Sequence, residues 1–205
     1  MKSLIILSAG HSTTESGAVF GNFKEADENI EIVKLCAEIL DKQKVPYRVV
    51  PFELNLAETI KWINERYKHI NDGLAIEVHK NAGGGKGIET FYFPGNIVSK
   101  DIAEKINQAI VQETGLENRG VKPDVLTRFG KLGFIRQPNV WSVLTEAGFI
   151  DTDDMKVPRE KFASGIAKGI MQIFGLEYLL PKANKNDKIE KIKSLAEQII
   201  KICEG

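Results

Sequence analysis

Leu74-Ala75-Ile76-Glu77-Val78-His79-Lys80-Asn81 is the stretch that decides the fold of this chain. Leu74, Ile76 and Val78 alternate with Ala75, Glu77 and His79, the period-two pattern of a half-buried strand. Gly83-Gly84-Gly85 follows and cannot continue it. His79 is therefore expected at a strand end beside a flexible loop, where its side chain can face a cleft.

Toward the N-terminus, Leu4 to Leu7 reads as a buried first strand that ends at Ala9-Gly10. Residues 10–24 are rich in Gly, Ser and Thr without a period, and long ordered loops of this kind tend to be functional. Ala26, Ile30, Val33, Ala37 and Leu40 recur at helical spacing, with Asn22 placed to cap the helix start. Tyr47 to Val50 reads as a second strand closed by Pro51, and a helix over about residues 56–69 follows it.

Toward the C-terminus, Ile88 to Phe93 reads as the neighbour of the strand at 74–79, and a helix over about residues 98–114 stops at Gly115. Residues 117–131 lack a period and supply Arg119, Lys122 and Arg128. Leu132 to Ile135 and Val140 to Thr145 read as two more strands, residues 147–157 as an acidic loop, and Pro158 as the opening of a helix that ends at Gly175. Alternating strands and helices give an α/β fold: one domain with a twisted, mostly parallel or mixed sheet flanked by helices. Sites in such sheets form beyond the strand ends, and His11, His79 and Glu146 all follow strands directly. After Pro181 the composition changes to a polar linker. Ile189, Ile192, Leu195, Ile199 and Ile202 then mark a short C-terminal helix, which either packs on the domain or serves self-association.

Lys+Arg and Asp+Glu both number 28, so neither a nucleic-acid surface nor a polybasic membrane surface is expected. Cys36 and Cys203 lack metal-ligand spacing and cannot build a disulfide framework. The apolar run at Leu4–Leu7 is shorter than the roughly 7–15 residues of a secretory core, so synthesis in the cytoplasm without a signal peptide is expected. No stretch is long enough for membrane insertion as a spanning helix.

The chain has 3 histidines, and His69 falls in a polar helix end. His11 and His79 sit beside glycines in loop and strand-end contexts, and with Glu25 they make a two-His, one-carboxylate set of the kind that holds catalytic zinc. Each member has a bland alternative. Either His can be a satisfied structural residue, and Glu25, three residues after Asn22, can complete a capping box. Glu146 ends an apolar run; there a carboxylate either bonds backbone amides or reaches an open site. Gly83 to Gly87 does not make a phosphate loop, because Lys80 and Gly87 stand where Gly and Ser or Thr are needed.

Taken in order, several blocks resemble the zinc-dependent N-acetylmuramoyl-L-alanine amidases of the autolysin and phage-endolysin type. They are Ile5 to His11, Glu25-Ala26 with Asn29, His79-Lys80-Asn81-Ala82, Gly87 to Tyr92, Asn118 to Lys122, and Val143 to Ile150. Three departures stand out: Ser8-Ala9 replaces the usual Asp-Pro before Gly-His, Glu77 stands where Ser is common, and Trp141-Ser142 replaces Pro-Ala.

The resemblance implies a catalytic domain over residues 1–180, with 181–205 a linker and helix of unassigned role. It implies a peptidoglycan hydrolase acting on the cell wall, with one zinc per chain held by His11, Glu25 and His79 and Glu146 as catalytic carboxylate. Glu77, on the face of His79, is a candidate to orient that ligand. Asn81, Arg119, Arg128 and Arg136 are candidates for substrate contact, and Lys122 shares their charge. The competing functions are a zinc peptidase acting on wall peptides and a non-catalytic wall-binding module.

Overall fold

The computed structural model describes residues 4–70 and 73–178. Its strands are β1 (Leu4–Ala9), β2 (Val19–Phe20), β3 (Phe23–Lys24), β4 (Tyr47–Val49), β5 (Gly73–Asn81), β6 (Ile88–Tyr92), β7 (Asn118–Pro123) and β8 (Trp141–Phe149). Its helices are α1 (Glu25–Lys42), α2 (Leu56–Arg66), α3 (Ile97–Thr114), α4 (Gly133–Arg136) and α5 (Arg159–Ile173). The C-terminal helix expected beyond Pro181, and any self-association through it, lie outside the described residues.

Six strands form one sheet in the order β4-β1-β5-β8-β6-β7, and β2-β3 is a separate hairpin. β4, β1, β5 and β8 run parallel; β6 is antiparallel to β8 and parallel to β7. β5 occupies the middle of the parallel set, which is why its residues are buried on both faces. On one face Ile5, Leu7, Leu74, Ile76, Val78 and Val143 pack under α1, α3 and α5. On the other, Ile6, Ala75 and Val140 meet Ile63 of α2 and Phe134 of α4. α2 starts with a reciprocal capping box between Asn55 and Glu58.

Four expectations are corrected. Ile88 to Tyr92 is not beside β5: β8 intervenes and pairs with both. Leu132 to Ile135 is not a strand but the start of α4, a single helical turn. Residues 118–123, read as aperiodic, form the edge strand β7. Asn22 does not cap α1, whose N-cap is Lys24 without a side-chain cap bond.

Candidate active site

The carboxyl ends of β1, β5 and β8 lie side by side, in register at Ala9↔Val78 and His79↔Glu146. Each delivers one group to the same edge: β1 leads into Gly10-His11, β5 carries His79 and β8 carries Glu146. His11 has φ 66, the left-handed region that an ordinary residue enters at a cost. The turn is pinned by Asn29 on α1, whose Nδ2 donates to Gly10 O at 3.1 Å. Gly17 closes over it, because a Cβ there would stand 2.4 Å from His11 Cδ2 and 2.7 Å from Glu25 Oε2.

Glu25 opens α1 and is 5% exposed. Its Oε2 lies 3.1 Å from His11 Nε2 and accepts from Ala18 N at 3.0 Å. Its Oε1 lies 2.9 Å from His79 Nδ1 and accepts from Lys80 N at 3.2 Å. Burial alone would raise this carboxyl, but the bonds to His11 and His79 hold it well below the usual carboxylate range. Burial would likewise lower His79, yet Glu25 and Glu77 together lift it well above an ordinary imidazole.

Donor atoms of His11, Glu25 and His79 lie within 4.8 Å of one another, the one such cluster among the described residues. Ligands around a tetrahedral zinc are spaced by about 3.3 Å, given bonds of roughly 2.0–2.1 Å. The two separations from Glu25, 3.1 Å to His11 and 2.9 Å to His79, are close to that value, and two imidazoles with a carboxylate are a donor set that fits the ion. Glu77 stands behind His79 rather than in the cluster, with Oε2 at 3.3 Å from His79 Nε2. His69 is exposed and plays no part here.

Glu146 lines the same cavity, which encloses about 540 Å³. Its Oε2 is buried without a hydrogen-bond partner among the described residues. Burial pushes this carboxyl up to about 7, opposed by His79 and reinforced by the charge of Glu25. A buried acceptor aimed into an open site and poised near neutrality is equipped to exchange protons with a bound molecule.

The candidate substrate contacts divide. Asn81, Arg119, Lys122 and Arg128 line the cavity; Arg136 does not. Arg136 instead forms a fork on fully buried Asp124, which also accepts from Leu132 N at 3.0 Å, and so ties down the base of the 124–132 segment. Glu89 was not singled out in the sequence, yet it gathers Asn81 Nδ2 at 2.8 Å, Arg119 Nε at 3.3 Å and Lys122 Nζ at 2.5 Å. Its signals in the sequence are a charged residue inside the apolar run of β6 and its place in the block Gly87 to Tyr92. Leu126 and Phe129 are also cavity-lining residues absent from the sequence expectation; they are 68% and 72% exposed, and the Arg128 guanidinium sits 4.5 Å from the Phe129 ring centroid.

Residues 5–173 match the family model described as N-acetylmuramoyl-L-alanine amidase. The chain belongs to this family. It is a peptidoglycan amidase, and members of the family generally depend on zinc. The amidase is 30% identical over 193 residues to the endolysin of Bacillus phage SPP1, covering 86% of this chain and 68% of that protein. It is 26% identical over 184 residues to the sporulation-specific N-acetylmuramoyl-L-alanine amidase of Bacillus subtilis, covering 84% and 69% respectively. Among solved structures, the amidase AmiC2 of Nostoc punctiforme superposes with a TM-score of 0.71 at 24% identity, covering 85% of this chain and 98% of that one, which supports the fold. No helix among the described residues is long and apolar enough to cross a membrane.

Proposed function

We propose that this amidase hydrolyses the bond between the lactyl group of N-acetylmuramic acid and the L-alanine of the stem peptide at a zinc centre held by His11, Glu25 and His79. The single observation that carries the reading is the convergence of those donors beside Glu146, whose Oε2 is buried without a hydrogen-bond partner among the described residues. Zinc bound there would acidify a water and polarise the amide carbonyl. Glu146 takes the proton of the attacking water as its oxygen adds to the carbonyl carbon. It returns that proton to the L-alanine nitrogen as the carbon–nitrogen bond breaks, and the remaining proton of the new acid passes to the freed amine, leaving a lactyl carboxylate and an L-alanine ammonium. Its position near 7 suits both halves of that exchange. Arg128, Phe129 and Leu126 form one wall against which the glycopeptide lies, while Arg119 and Lys122 are held by Glu89 and present a tempered positive charge.

Release at the wall of a phage-infected cell is the biological setting supported by the likeness to the phage endolysin. Digestion of purified peptidoglycan followed by mass spectrometry of the muropeptides tests the reaction. New L-alanine amino termini paired with free lactyl carboxylates are expected. Cleavage between amino acids of the stem would instead show a peptidase, and an intact wall a binding module.

A further inference from the structure

Ser8 on β1 and Glu77 on β5 are direct partners across the parallel ladder. Both are buried, at 1% and 5% exposure, and Ser8 Oγ donates to Glu77 Oε1 at 3.4 Å. The other Glu77 oxygen lies 3.3 Å from His79 Nε2, while the opposite ring nitrogen, Nδ1, lies 2.9 Å from Glu25 Oε1. The two edges of one imidazole thus face two carboxylates with different surroundings. Glu25 belongs to the donor cluster and Glu77 does not. A neutral imidazole has one N–H and one lone pair. An ionised carboxylate can only accept, so each of the two can hold an N–H of this ring; with a cation on the Glu25 side, Glu77 would keep the N–H at Nε2 and leave the Nδ1 lone pair for that cation.

The two departures from the family pattern at these positions, Ser8 for Asp and Glu77 for Ser, are therefore in contact with each other. We propose that they are a single exchange: the carboxylate that orients His79 has moved one strand across, from position 8 to position 77, and the hydroxyl has moved the other way. Glu77 is a positioning residue that selects Nδ1 of His79 as the ligating atom, and Ser8 is the hydroxyl that steadies it. The pair keeps one carboxylate and one hydroxyl in a space that would strain under two carboxylates. This deepens the zinc reading and rests on it.

Zinc affinity, measured by competition with a chromophoric chelator, tests the exchange in wild type, Glu77→Ser, Ser8→Asp and the double variant. Losing a group that orients a ligand typically weakens zinc binding by about 10–100-fold, which is expected of Glu77→Ser. Ser8→Asp, which crowds two carboxylates, is also expected to weaken binding. The double variant is expected to recover to within about threefold of wild type, because it restores one of each group. Nitrogen-15 spectra of the zinc-loaded wild type should show His79 bound through Nδ1 with its proton on Nε2. Should Glu77→Ser fail to fold, Glu77→Gln decides: its neutral oxygen still accepts the N–H, and a loss of about tenfold is expected. Wild-type affinity in Glu77→Ser or in Glu77→Gln, losses that simply add in the double variant, or a zinc-bound Nε2 would each overturn the exchange and leave the zinc site standing. A wild type that binds no zinc would overturn both.

Discussion

Replacing Glu146 by Gln separates what this carboxylate costs the fold from what it does for the reaction. In the folded protein its pKa stands at about 7 against 4.5 for a free side chain, because burial disfavours the charged form. The folded state therefore holds this proton more tightly than the unfolded one between those two values. Stability is lost as pH rises through that window, and the full penalty is present above the folded value. With about 1.4 kcal/mol for each pH unit of displacement, the difference accumulated between pH 5 and pH 8 is about 2–3 kcal/mol. Gln carries no such titration. Its own buried amide adds a cost of about 1–3 kcal/mol that does not change with pH. The stability of Glu146→Gln relative to wild type should thus rise by about 2–3 kcal/mol from pH 5 to pH 8. Urea melts of both proteins in chelator, so that no cation offsets the charge, provide the assay. Over the same change, turnover of peptidoglycan should fall by about 10²–10⁴-fold, the usual worth of a positioned acid–base group. A stability difference flat in pH would refute the buried, uncompensated carboxylate. Turnover within twofold of wild type would refute its role in proton transfer.

Three further outcomes follow from individual contacts. A Cβ at Gly10 would stand 2.2 Å from His79 Nε2, so Gly10→Ala should remain folded by circular dichroism yet lose bound zinc in elemental analysis, with lysis lost alongside it. Lys80 is 3% exposed, donates to Ala147 O at 2.6 Å, and burial lowers its pKa from 10.5 to about 8. The unfolded chain then binds more protons at this position between those values, so in urea melts the stability of wild type relative to Lys80→Met should rise by about 3 kcal/mol from pH 8 to 10.5. The double change Arg128→Ala with Phe129→Ala should raise KM for a soluble muropeptide by about tenfold while leaving kcat within about twofold, because these side chains meet substrate away from the scissile bond.

The legible parts of the molecule were those where one residue pattern has one structural meaning. The alternation from Leu74 and the strand–Gly-His junction at residues 4–11 mark the two strands that lead to His79 and His11, and the structure pairs them as β5 and β1. Glu146 stood out because a carboxylate at the end of an apolar run demands an explanation. Pairing was not legible: nothing in Ile88 to Tyr92 says that β8 will insert between it and β5, since both neighbours are equally apolar. Leu132 to Ile135 is too short an apolar run for periodicity to separate a strand from a turn of helix. The helical turn follows Leu132, whose amide Asp124 binds, and carries Arg136, whose guanidinium the same carboxylate grips. β7 is not legible because an edge strand that is half exposed and ends in Pro123 looks like a loop. Glu25 was ambiguous for a local reason, its spacing from Asn22. The structure separates the alternatives, because the Glu25 oxygens face two imidazoles and the amides of Ala18 and Lys80, and Lys24 precedes it as an N-cap without a side-chain bond.

Anomalous diffraction at the zinc edge, on crystals of protein purified without added metal, addresses the central claim most directly. One peak per chain is predicted, bounded by His11 Nε2, a Glu25 oxygen and His79 Nδ1, and it should vanish in His79→Ala. Protein that cleaves peptidoglycan with no peak between those three side chains, or with its zinc elsewhere, would contradict the account.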